Sequence, residues 1–208
     1  MNGTLSPSKI VCVGRNYVDH AKEMGNEVPK DPLLFLKASS ALIGSGEAIV
    51  LPPQSARVEH EAEIGVVIGR RLYHASPAEC ETAIRGFVCL NDVTARDLQK
   101  TDGQWTRAKG FDTFCPAGPR IAEGLRWQDL EVVGRVNGVE RQRGRATDMV
   151  FAIPTLLSYI SGVMTLLPGD LVATGTPAGV GPLAPGDVVE VEIPGVGVLS
   201  NPVKAYSQ

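Results

Sequence analysis

Aromatic residues are scarce in this chain: five Phe, four Tyr and two Trp among 208 residues, against 23 Gly and 15 Pro. That balance argues against a helical bundle and for many turns between short strands. Apolar runs are short as well. None approaches the ~20 residues a helix needs to cross a bilayer, so no membrane span is expected. Cys12, Cys80, Cys89 and Cys115 form no CxxC pair. The N-terminus lacks the basic-then-apolar layout of a signal peptide, so reduced thiols in the cytoplasm are expected. With a net charge of −3 and a pI near 5.7, nothing in the charge balance favours nucleic acid or an anionic membrane as a partner. The sequence also has no GxSxG, no Walker A loop and no strand-linked GxGxxG.

What remains fits one domain spanning residues 1–208, mainly β with a few helices. "KIVCVG" reads as a buried strand ending at Gly14, and "DPLLFLK" and "AIVLP" as two more. Residues 16–25 have helical character, with Asn16 as N-cap and Gly25 as stop. Ser76, Pro77 and Glu79 mark a helix start, which leads into the strand "FVCLND". Asn137-Gly138 between β-prone runs signals a hairpin. "VFAIPTLLSYISGVMTL" has helical length, interrupted near its start by Pro154 and again at Gly162. Two PGD turns introduce strands near the C-terminus.

"EHEAEIGVVIG", residues 59–69, reads as a strand with Glu59, Glu61 and Glu63 on one face, because strand side chains alternate at period two. Like charges at roughly 5 Å cost on the order of 3 kcal/mol per pair at an effective dielectric near 20. If the face is buried, something relieves the repulsion: open solvent, a raised pKa that neutralises one acid, or a bound cation. Asp92 stands at the C-terminal end of another buried strand. Two glutamates of the row and Asp92 would converge as three oxygen ligands, a set that suits Mg²⁺ or Mn²⁺ better than zinc. His60 faces away, and "HEAEI" lacks the second histidine of a zinc protease. A solvated edge strand and an aspartate that caps a turn are the plain alternatives.

His20 and Glu23, spaced i, i+3 on one helix face, can pair as a base that activates water. Their segment, residues 16–31, has few large apolar anchors and is a candidate lid. "QWTRAKGFDTFCPAGP" reads as an apolar loop in which Lys109 can face an oxyanion. "TGTPAGVGP", residues 174–182, is a turn-rich loop whose amides can cradle a carboxylate. Arg135, Arg141, Arg143 and Arg145 cluster at the hairpin, where solvated side chains or a dimer contact are expected.

These pieces, in order, resemble the fumarylacetoacetate hydrolase family: "VGRNYVDHAKEM", "LFLKASSALIG", "EHEAEIGVVIG", "NDVTARDLQ", "QWTRAKGFDTFCPAGP", "VNGVERQ" and "PGDLVATGTPAGVGP". The match runs from about residue 9 to near residue 205 and lies closest to the short acylpyruvase and oxaloacetate-processing branch. The resemblance implies a mixed β-roll, a homodimer, and Mg²⁺ or Mn²⁺ held by Glu61, Glu63 and Asp92. It makes His20 and Glu23 a lid dyad and puts Lys109 beside the metal. Arg96, Gln99 and Thr176 match substrate-contact positions, while Glu59 falls outside the ligand set. Ala38 after Lys37, where relatives often have proline, and the short link from Gln99 to Trp105 are departures; the second alters the pocket rim. The implied activity is hydrolysis of a C–C bond in an acylpyruvate, such as fumarylpyruvate or acetylpyruvate, through a metal-stabilised pyruvate enolate. Oxaloacetate decarboxylation, keto–enol tautomerisation and isomerisation or decarboxylation of dienoic acids share that enolate logic. A non-catalytic 2-oxo acid binding module is the reading outside enzymes.

Overall fold

The computed structural model describes residues 5–23, 25 and 27–207. Strand β1 (Ile10–Gly14) is followed by helix α1 (Val18–Glu23), and β2 (Leu33–Lys37) returns antiparallel to β1. After β3 (Leu42–Ile43) and β4 (Ile49–Leu51) come β5 (Val58–His60) and β6 (Ala62–Ile68). Helix α2 (Pro77–Glu81) leads to β7 (Ile84–Asn91) and β8 (Thr94–Ala95). Two short helices, α3 (Arg96–Thr101) and α4 (Thr106–Gly110), precede β9 (Cys115–Ala122). The hairpin of β10 (Glu131–Val136) and β11 (Val139–Arg145) precedes helix α5 (Ile153–Val163). The chain closes with β12 (Leu171–Ala173), β13 (Gly181–Pro182), β14 (Val188–Ile193) and β15 (Gly197–Ala205).

The described residues form three sheets. A seven-stranded sheet has the order β2-β1-β12-β6-β7-β9-β3, a five-stranded sheet the order β11-β10-β14-β15-β4, and a small one the order β13-β5-β8. Strand β6 lies inside the large sheet and is buried along its whole length. Its even positions, Ala62 to Ile68, join Val132, Val191, Ile193 and Leu199 of the facing sheet and the inner face of α5 in one core. The sheets come close here: a Cβ on Gly134 would lie 2.9 Å from the Ala62 methyl. On the opposite face Val67 packs with Ile10, Val88 and Leu171. A strand apolar on both faces is what a central strand needs, and only at its N-terminal end does one face turn acidic.

The helix starting at Ser76 carries a complete capping box with Pro77 in its first turn. Asn137 and Gly138 take φ of +52° and +75°, as a two-residue hairpin turn requires. The four cysteines are free and buried, and burial pushes the Cys115 thiol up to about 12.

Several expectations need correction. The glutamate strand is broken: Glu61 separates β5 from β6, and the two belong to different sheets. Asn16 is no N-cap. Its side chain donates to the carbonyls of Phe151 and Thr174 and accepts from the Phe151 amide, stitching the end of β1 to two distant loops. Pro154 opens α5 within its first turn rather than interrupting it, and Gly162 lies within the helix near its end. Residues 106–110 form α4, not loop, because Lys109 closes a helical bond to Trp105. Arg141, Arg143 and Arg145 of the hairpin are exposed, as expected, with Arg143 also paired to Glu131 and Glu140 and Arg135 to Glu192. The proposed lid, 16–31, contains Met24 and Asn26, which lie outside the described residues.

Candidate active site

Antiparallel pairing of β6 with β7 sets Ala62 opposite Asn91, so the acids just beyond that pair meet. The Asp92 amide donates to the Glu61 carbonyl at 2.9 Å, and the Glu61 amide donates to the Asn91 side chain at 2.9 Å. Glu63, two residues on, returns to the same face. One carboxylate oxygen each from Glu61, Glu63 and Asp92 lies within 4.8 Å of the others, and all three residues are buried.

Fixed cations relieve most of the repulsion. Lys109, from α4, donates to Glu61 Oε2 at 2.9 Å and to Asp92 Oδ2 at 2.6 Å. Lys37, from the end of β2, donates to Asp92 Oδ1 at 2.5 Å and to the Val93 carbonyl. Arg96, at the start of α3, forks: Nε to Glu59 at 2.7 Å, Nη2 to Glu61 at 2.5 Å and Nη1 to Gln99 at 2.6 Å. Glu59, which also accepts from Arg57, therefore serves Arg96 and not the triad.

These contacts set the protonation pattern. Burial alone would raise the Glu61 carboxyl, but Lys109 and Arg96 beside it hold it well below the usual range. Burial would lower Lys109, and the Asp92 and Glu61 carboxylates keep it above its ordinary value. Glu63 differs. No salt bridge reaches it among the described residues; its partner is the Gly175 amide at 2.7 Å. Burial, reinforced by Asp92 and Glu61, pushes its carboxyl well above the usual range. The triad thus holds one carboxyl with no cationic partner among the described residues. That deficit, with an all-oxygen donor set, fits a hard divalent cation.

A cavity of about 250 Å³ opens over the triad, lined among others by Val13, Phe35, Trp105 and Thr176. Of the residues singled out in the sequence, Glu61, Glu63, Asp92, Arg96, Gln99, Lys109, Thr176 and His20 all border it. Glu23 stands behind: its Oε2 lies 3.3 Å from His20 Nδ1, and both its oxygens accept from the Gly179 amide at 3.1 Å. The loop 174–182 does hold carboxylates, but they are the protein's own, Glu63 at Gly175 and Glu23 at Gly179. Thr176 donates its hydroxyl to the Ala62 carbonyl.

Two residues of this network escape sequence reasoning. Lys37 ends an ordinary-looking strand, and only the pairing of β2 with β1 shows that its ammonium reaches Asp92. Gln142, buried on β11, accepts from the Ala62 amide and His60 Nδ1 and donates to Thr176 Oγ1 and the Pro177 carbonyl. A half-polar hairpin strand gives no sign of that role.

Comparison with known proteins agrees with the resemblance. Residues 9–204 match the family described as fumarylacetoacetate (FAA) hydrolase C-terminal. An uncharacterized protein of Methanocaldococcus jannaschii is 50% identical over 200 residues, covering 96% of this chain and 84% of its own. The human mitochondrial oxaloacetate tautomerase FAHD2A is 42% identical over 209 residues, covering 95% of this chain and 67% of its own. The crystal structure of 5-carboxymethyl-2-hydroxymuconate delta-isomerase from Mycobacterium smegmatis superposes with a TM-score of 0.92 at 46% identity, over 100% of this chain and 83% of that one.

Proposed function

Because the chain belongs to the fumarylacetoacetate hydrolase family, we propose that it is a metal-dependent enzyme that moves a proton next to the ketone of a small 2-oxo acid. Keto–enol tautomerisation or isomerisation is the reading we place first. The observation that carries it is a base, His20, on the wall of the same cavity as three buried carboxylates and a buried lysine. A divalent cation, Mg²⁺ or Mn²⁺, held by Glu61, Glu63 and Asp92 would supply Lewis acidity at the keto oxygen.

The chain's own groups do the rest. Lys109, fixed between Glu61 and Asp92, adds positive charge where the ketone oxygen gains electron density, and burial strengthens that effect. Gln99 accepts from Arg96 through Oε1, which leaves its Nε2 free to donate to the substrate. His20 takes or returns the proton on carbon. Glu23 fixes the imidazole tautomer by engaging Nδ1, so Nε2 is the nitrogen that exchanges the proton. The apolar wall of Val13, Phe35 and Trp105 keeps water from the reacting face.

Hydrolytic C–C cleavage of an acylpyruvate is the second reading, favoured by the His20–Glu23 pair, since the same base can deprotonate water for attack on a distal carbonyl. The names of the relatives lean to the first reading: one is called a tautomerase and another an isomerase. Residues 16–31 acting as a lid, a homodimer and a cytoplasmic location belong to the same proposal. Sedimentation tests the dimer.

The deciding experiment is a panel of enol-oxaloacetate, acetylpyruvate and fumarylpyruvate with Mg²⁺, followed by ultraviolet absorbance in the wild type and in Glu61→Gln. Metal-dependent turnover that Glu61→Gln abolishes supports the reading. Equal turnover in chelator, or none for any compound, overturns it.

A further inference from the structure

Past the end of β6 that points away from the triad, the chain carries two arginines in a row, Arg70 and Arg71. Arg70 lies seven positions beyond Glu63, roughly 20 Å at the rise of a strand, so the pair stands clear of the active-site cavity. Consecutive strand side chains point apart, but the chain bends at Arg70. Both arginines therefore line one surface cavity of about 310 Å³, together with Tyr73, His74 and Glu79.

Each cation is held in place without being neutralised. Arg70 donates through Nη2 to the Glu79 carbonyl at 3.1 Å and to the Thr82 hydroxyl. The Arg71 guanidinium lies 5.3 Å from the centre of the Tyr73 ring, and the His74 ring meets that ring edge-on with centroids 4.4 Å apart. Among the described residues neither arginine makes a salt bridge. The backbone beneath them is fixed: Leu72 exchanges two hydrogen bonds with Leu166, the His74 amide donates to the Ser161 carbonyl, and the Ala75 amide donates to the Ser161 hydroxyl. The one acid on the cavity wall is already spent. Glu79 Oε2 accepts from the Ser76 amide at 2.8 Å and from the Ser76 hydroxyl at 2.7 Å, in the capping box of α2. Two guanidiniums thus keep most of their N–H donors free on a rigid frame that offers them no carboxylate.

We propose that Arg70, Arg71 and His74 form a binding site for a small polyanion, a ligand with clustered anionic oxygens on a phosphoryl group or on neighbouring carboxylates. The site is separate from the active-site cavity and independent of the 2-oxo acid reading above. The oxygens of the ligand take the free N–H groups of the two forks, the donor geometry that matches phosphate and carboxylate best. His74 adds a ring N–H. Because Arg70 is tethered and Arg71 is stacked before the ligand arrives, binding immobilises little that was free.

The test is calorimetric titration of the full chain with inorganic phosphate and, separately, with propane-1,2,3-tricarboxylate, with Mg²⁺ at equal concentration in cell and syringe. The two arms tell a phosphoryl ligand from a polycarboxylate. At least one of the anions is expected to bind with a Kd of about 1 mM or below. Arg71→Gln leaves the bonds of Arg70 to Glu79 and Thr82 in place, and it should weaken that binding at least about tenfold, the worth of one charge-assisted hydrogen bond. The double variant Arg70→Gln, Arg71→Gln should abolish it, and added KCl should weaken the wild type, because exposed charges are screened. Arg126→Gln, at an exposed arginine outside the cavity, should bind as the wild type does. Silence of both anions in the wild type, an unchanged affinity in Arg71→Gln, or an equal loss in Arg126→Gln overturns the proposal.

Discussion

The backbone amide of Asp92 donates to the backbone carbonyl of Glu61 at 2.9 Å, so two carboxylates from strands about 30 residues apart in sequence start from the same ladder rung. Their side chains then diverge in partners: Asp92 is clamped by Lys37 and Lys109, Glu61 by Lys109 and Arg96. Glu63, on the same face, has no such clamp.

That asymmetry separates the variants. Asp92→Asn removes the shared anion of two buried lysines and should cost about 3 kcal/mol of stability even in metal-free buffer. Glu63→Gln replaces a carboxyl that burial and its acidic neighbours already push toward the neutral form, so its melting temperature without metal should equal or exceed the wild-type value. Both should lose the thermal stabilisation by Mg²⁺ that the wild type is expected to show. Calorimetric melts with Mg²⁺ and with chelator check this; a Glu63→Gln protein as unstable as Asp92→Asn would refute the charge assignment.

His20→Ala should lower turnover by about 10² or more, the usual contribution of a positioned base. Glu23→Gln keeps the shape but removes the charge behind the imidazole, and a loss of about tenfold is expected. Rates for tautomerisation and for hydrolysis, measured on the same preparations, show which reaction depends on the pair. Wild-type rates in both variants would dismiss His20 as the base.

Gly179→Ala should be strongly damaging. Its φ is +99°, and a Cβ there would sit 1.9 Å from the Arg141 carbonyl oxygen, so the backbone must move. A cost of about 3 kcal/mol is expected, together with a fall in turnover at least as large as for Glu23→Gln. Denaturant midpoints and steady-state rates test both parts; a variant of native stability and rate would contradict the packing.

Asp170 gives a pH prediction. Its buried carboxylate accepts from the amides of Ser8, Lys9 and Leu167, the Ser8 hydroxyl and the Lys9 ammonium. Burial alone would raise its pKa, but Lys9, Ser8 and Leu167 together hold it below the ordinary range. The unfolded chain, with a value near ~3.9, then takes up the proton first as pH falls. The stability Asp170 contributes is therefore present above about pH 4 and disappears as pH falls through the folded value. Asp170→Asn should cost about 2 kcal/mol at pH 7 and progressively less below pH 4. Denaturation at pH 7, 5 and 3 tests it, and a gap independent of pH would count against the assignment.

Much of this molecule is legible in its sequence, where local chemistry decides. Ser76 with Glu79 announces a helix, Asn137-Gly138 a hairpin, and the period-two row of Glu61 and Glu63 a shared face. Long-range pairing is what stays hidden. The break at Glu61 follows from β5 joining a different sheet, and no local signal marks it. Asn16 has the right chemistry for a helix cap, yet Phe151 and Thr174, more than 130 residues away, offer it better partners. Lys37 and Gln142 act across strands that only the folded topology sets side by side. The acids could be found because three of one sign on a buried face demand an explanation; the cations that answer them are scattered singly.

The loop from Thr174 to Pro182 holds Glu63 by one amide and Glu23 by another. A swing of α1 away from the cavity would leave the Gly179 N–H bare and the imidazole unsupported at the same moment. If α1 acts as the proposed lid, arming the proton carrier and shutting the door would be a single latch. Its catch is one glycine, on the same short rope that moors the acid at the cavity floor.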